Sequence, residues 1–172
     1  MLIDVDAVLD AGHRDLDTLD DSLDYGEVDC WLDEHVFTTH LRAYVTAVAH
    51  ALGIGEESTM IDTAAPASAY LALDGRLPSY PHRELALVWD ERHGWAAAVE
   101  THSGEDLLLI AYLDPRHGLV PAPHIPAEFI TALRHGHPTG RLDPPDLAAP
   151  SRRHTSELLA AHSQSCDQVH RP

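Results

Sequence analysis

The 172-residue chain sets 28 acidic side chains against 11 basic ones, a formal net charge of -17, and its length suits one domain with appendages. Every strong cation is arginine, which excludes lysine chemistry such as a Schiff base, a phosphate-loop lysine or a lysine general base. Charge of this sign repels phosphate backbones, so direct nucleic-acid binding is not expected.

The acid is concentrated at the head. Residues 1–35 carry 12 acidic side chains against one arginine, Arg14; residues 36–137 carry 12 against six, and residues 138–172 four against four. In the head, Leu16, Leu19 and Leu23 recur at helical spacing between aspartates. Aspartate is a poor helix-interior residue and dense like charge opposes compaction, so residues 1–35 read as an acidic arm, mobile or conditionally helical.

Phe37, Leu41, Tyr44, Val45, Val48 and Leu52 then fall on one face of a helix that Gly53 stops. Two β-favouring stretches follow, Ser58 to Ile61 and Ser68 to Leu73, the second closed by Asp74-Gly75. Leu85, Leu87 and Trp89 alternate along the next stretch, Glu91-Arg92-His93-Gly94 intervenes, and Trp95 to Glu100 resumes. This is a β-hairpin pattern in which Gly94 can take the positive φ of a short connection. Leu107 to Leu113 is apolar on both faces, as a central strand would be. Pro126 to Arg134 reads as a second helix, with proline in its first turn and Gly136 and Pro138 just past its end. Beyond Pro138 the chain is rich in Pro, Arg and His; Ser156 to His162 is the one stretch that suits a short helix, and 138–172 reads as a mostly disordered tail.

The fold expected of residues 36–137 is therefore α+β: a two-layer sandwich of an antiparallel sheet of about four strands with an N-terminal and a C-terminal helix. The run Ala69-Tyr70-Leu71-Ala72-Leu73-Asp74-Gly75-Arg76-Leu77-Pro78, followed by Val88 to Trp95 and Ala98 to Leu107, resembles an actinobacterial family of small proteins known as a domain of unknown function. The resemblance covers roughly residues 38–134 and implies a cytoplasmic protein, but carries over no activity. In topology alone the pattern is similar to secretion-chaperone-like domains that dimerise and hold partner segments, an analogy of fold.

Two constellations carry candidate chemistry. Asp90, Glu91, Arg92 and His93 crowd the hairpin turn between Trp89 and Trp95. If both indoles share an exposed side, they form an aromatic floor under a charged rim; if they pack across the strands, they anchor the hairpin. The second is Glu100-Thr101-His102-Ser103-Gly104-Glu105-Asp106. Adjacent His102 and Ser103 point apart, so a nucleophilic triad is not expected. A zinc or manganese site on Glu100, His102 and Asp106, with His93, is a weaker alternative. No dinucleotide, phosphate-loop or zinc-ribbon motif occurs, and no cofactor is expected. Cys30 and Cys166 have no ligand spacing and read as free thiols.

The sequence also contains no apolar run near the about 20 residues that cross a bilayer, and its first residues lack a signal-peptide pattern. These features together suggest a non-enzymatic regulatory or adaptor domain in the cytoplasm. It would bind another protein through Trp89, Trp95, Tyr70, Arg92, Asp90 and Glu91, and pair with itself as a homodimer. One alternative is a small metal-dependent hydrolase or small-molecule-binding module. A third reading has Asp15, Asp17, Asp20, Asp21 and Asp24 imitate nucleic acid or mask a DNA-binding partner.

Overall fold

Apolar residues at helical spacing from Phe37 onward do form a helix, and it begins well before them. In the computed structural model, which describes residues 25–101, 106–147 and 150–163, α1 spans Tyr25–Leu52. Phe37, Leu41, Tyr44, Val45 and Val48 are all buried on its inner face. The boundary expected between residues 35 and 36 thus falls inside a continuous helix. Extending a formed helix avoids the cost of nucleating a new one, and carboxylates near an N-terminus suit the helix dipole. The earlier part of the acidic arm, with Asp15, Asp17, Asp20, Asp21 and Asp24, lies outside the described residues.

Five antiparallel strands follow: β1 (Thr59–Asp62), β2 (Ser68–Leu73), β3 (Leu85–Asp90), β4 (Gly94–Glu100) and β5 (Leu107–Tyr112), paired in the order β1-β2-β3-β4-β5. The class is α+β, with one strand more than the four expected, because the four-residue β1 pairs along its whole length with β2. Register assigns the faces. Leu71, Leu87 and Ala97 are cross-strand neighbours, as are Leu73, Leu85 and Val99, and all six belong to the core together with Phe37 and Leu41 of α1. Residues of the other parity, Tyr70, Ala72, Ala86, Ala98 and Glu100, point away from that core.

The β3–β4 connection behaves as its sequence suggests. Gly94 has φ +69°, and Asp90 accepts backbone N–H bonds from Arg92 at 2.7 Å and His93 at 2.9 Å, an Asx-type turn that sets the hairpin register. β5 departs from expectation. It is an edge strand, not a central one, since in a meander the last strand stands outermost. A bulge between Ala97 and Ala98 shifts its register, leaving Ile110 without a partner in β4.

Helix α2 (His124–Arg134) places Phe129 and Ile130 in the same core. The region expected to be a disordered tail is largely built into the fold. Arg141 exchanges two backbone hydrogen bonds with Tyr112, at 2.7 and 2.9 Å, and helix α3 (Arg152–Ser163) packs on α1 with Leu159 fully buried. Polar contacts help hold α3, among them an ion pair of Arg152 with Glu34 of α1 at 3.4 Å. His40 Nδ1 and Ser156 Oγ lie 2.9 Å apart, Arg152 stacks 4.1 Å over the Phe37 ring, and its guanidinium also donates to the Thr63 carbonyl. An interface made by Arg152, buried Thr155 and Ser156, and one central leucine has little apolar periodicity to reveal it.

Candidate functional site

The two tryptophans of the hairpin are interior. Trp89 and Trp95 are direct cross-strand partners and each is 1% exposed. Trp89 Nε1 donates to the Leu119 carbonyl at 2.9 Å; Trp95 Nε1 donates to the Tyr44 hydroxyl at 3.0 Å, which in turn donates to the Pro121 carbonyl at 2.8 Å. Burial raises the Tyr44 phenol above its ordinary range, partly offset by the bond from Trp95. The chain Trp95–Tyr44–Pro121 thus stitches β4, α1 and the loop after β5 with satisfied polar groups. These indoles meet no partner surface; they are the hairpin anchor that cross-strand packing provides.

The turn residues are similarly committed. Asp90 is occupied by the turn N–H groups and by His93 Nδ1 at 3.1 Å. Glu91 accepts from Ala67 N–H at 2.7 Å while its own N–H donates to the Ala67 carbonyl at 3.1 Å, clamping the start of β2. Arg92 is exposed beside a hollow lined by His93, Pro144, Pro145 and Asp146.

Of the residues offered for a metal, His93 stands far from Glu100. His93 precedes β4 and Glu100 ends it, so the two stand roughly 20 Å apart along an extended strand. Asp106 O accepts from Thr101 N–H at 2.9 Å, closing the neck of the loop that follows Glu100. His102 lies outside the described residues. Among the described residues, no three His, Cys, Asp or Glu side chains are grouped to hold a metal.

What register does bring together is a diagonal across the face turned away from the core. Tyr70 on β2 donates to Glu100 Oε1 on β4 at 2.7 Å, and the line between them passes over Ala86 of β3, which is fully buried. A single methyl there leaves room for the phenol to lie across the sheet. Arg83 donates to the Glu100 carbonyl at 3.1 Å. Burial, the bond to Glu100 and the charges of Glu100 and Glu84 push the Tyr70 hydroxyl up to about 12. It is therefore a neutral donor at physiological pH and no nucleophile or base. At the far end of the face Tyr112 sits 6.1 Å from the His93 ring, its hydroxyl also raised, by burial and then by the charge of Asp90.

Sequence reasoning named Tyr70 and Glu100 for separate sites and missed Tyr112 and Arg83. The signal for the pairing was present in β2, where Tyr70 and Ala72 alternate with Leu71 and Leu73 and so mark which face is outward. The near-uniform apolarity of β3 and β4 obscured its continuation.

Neither a curated protein nor a solved structure gives a significant match to the chain. A family model does match residues 44–132, slightly more than half of the sequence and all of the sheet apart from the Arg141 bridge. The chain belongs to DUF6292, a family of unknown function.

Proposed function

We propose that this chain is a non-enzymatic regulatory or adaptor domain of a cytoplasmic actinobacterial protein, built as a two-layer α+β unit whose outward sheet face receives another protein. The observation that carries the reading is the Tyr70–Glu100 diagonal. It spans three strands at one bond of 2.7 Å, with exposed Met60 beside Tyr70 in the adjoining strand and exposed Ala72 one step along. Tyrosine with a neighbouring flexible thioether supplies contact area at little entropic cost, which suits protein recognition. The neutral phenol and the occupied carboxylate offer hydrogen bonds without a reactive group.

The test is affinity capture from the source organism with the full chain as bait. A stoichiometric partner should be retained by the natural sequence and by Arg76→Ala, and lost with Tyr70→Ala. No such partner, or one retained equally by Tyr70→Ala, would remove this reading.

A further inference from the structure

We propose that β5 is a self-association strand, through which two copies of the chain pair antiparallel about a two-fold axis at Leu108 and merge their sheets. This stands apart from the outward-face reading, since it uses the sheet edge. The first observation is where apolar surface collects. The exposed large hydrophobic residues among those described are Val36, Met60, Leu107 (40%), Leu108 (43%), Leu109 (45%) and Leu142 (84%). Four of these six lie on β5 or next to Arg141, which is bridged to it. Apolar side chains gathered in one place mark an interaction surface; scattered ones do not.

The second observation is directional. Asp106 O faces β4, where it accepts from Thr101 N–H, and Leu108 stands opposite Val99. Alternation then points the backbone groups of Leu107 and Leu109 outward. Further along, the outer edge is already closed by Arg141 at Tyr112. Among the described residues the open stretch is thus 106–110, and what it fits is one short extended strand.

The third observation selects the occupant. An antiparallel copy centred on Leu108 sets Leu107 against the partner's Leu109, and Leu109 against the partner's Leu107, so outward backbone groups meet and every exposed leucine of β5 contacts a leucine. Charge agrees with this register. Asp106 lies opposite the partner's Ile110, about 7 Å along the strand from the partner's Tyr112, beside which the partner's Arg141 is held. Asp106 and Arg141 make no ion pair within the chain among the described residues, and both are exposed. The two-fold brings them together twice, an isologous contact. Because five residues per copy cover less than a standard interface of about 1,600 Å², association should be weak and visible only at high concentration.

Sedimentation of the full chain at about 0.15 M salt, where repulsion between two copies of net charge -17 is screened, tests this. A concentration-dependent monomer–dimer equilibrium is expected. Leu108→Lys, which sets two ammonium groups against each other on the axis, should weaken it about tenfold or more. Met60→Lys, on the opposite edge of the sheet, should leave it unchanged. Asp106→Arg should weaken the dimer, and adding Arg141→Asp should restore it; that pair decides the matter if Leu108→Lys disturbs folding, as checked by circular dichroism. A wild-type chain that stays monomeric, a dimer insensitive to Leu108→Lys in a folded variant, or no rescue by the double reversal would overturn the proposal.

Discussion

β4 and β5 are neighbours, both strongly apolar, and their fates are opposite. In β4 every residue from Gly94 to Val99 is buried, although three of them are alanine; in β5 the leucines at 107, 108 and 109 are exposed. The residues with more apolar surface to hide hide less of it. Pairing on both sides, not hydrophobicity, decides burial here. β4 is flanked by β3 and β5, with tryptophan and valine supplying its packing toward the core. Its alanines on the outward side keep the sheet low enough for Tyr70 to reach Glu100.

The contrast predicts unequal costs on substitution. Trp95→Ala should destabilise the fold by about 3–5 kcal/mol, through lost burial and the cavity left behind, whereas Leu108→Ala should cost about 1 kcal/mol or less because the side chain is already partly solvated. Urea denaturation of the two variants checks this, and similar costs would break the comparison. Tyr44→Phe sharpens it at smaller scale. Removing the hydroxyl leaves the buried Trp95 N–H and Pro121 carbonyl without their shared partner, for an expected loss of about 1–3 kcal/mol. A neutral Tyr44→Phe would mean that the β4 anchor is held by packing alone.

The smallest effect concerns the outward side of the sheet. Tyr70 titrates near 12 in the folded chain against an ordinary value of 10. Below pH 10 both states hold the proton and the contribution is fully present. As pH rises from 10 through 12 the unfolded chain loses its proton first, and stability falls. Tyr44 and Tyr112 are raised in the same direction, so Tyr70→Phe should soften the alkaline decline and not abolish it. Denaturation midpoints compared at about pH 8 and about pH 11 read this out; parallel declines in the two proteins would show that the Tyr70–Glu100 bond has no such role.

Local signals in the sequence fared well where one residue type has one physical use. The helical spacing from Phe37 to Leu52, the hairpin turn at Gly94 and the proline-led α2 all depend on backbone preference and periodicity, and all appear in the structure. Non-local features were harder. That Trp89 and Trp95 are sealed follows from both belonging to the inward parity of interior strands, which composition does not reveal. That β5 is an edge follows from strand order, and a two-sided apolar run reads alike in the centre or at the margin. The helix at Ser156–His162 was legible, but its docking escaped because the grip on α1 combines one buried leucine with a stacked arginine and two small hydroxyl residues, chemistry with little apolar periodicity. The candidate site was half legible: Tyr70 and Glu100 were each visible, but their meeting required the register of three strands.

The docking of α3 has a consequence for how family members are compared. The span shared with the family opens at Tyr44, in the last third of α1, and closes at residue 132, before α2 has ended. A fragment trimmed to that span would lose Phe37 and Leu41 along with α3 and its Leu159, and so uncover the core residues that they pack against. Such a fragment should be sticky and prone to aggregate, and any binding it displayed would report an exposed seam of the fold instead of a natural surface.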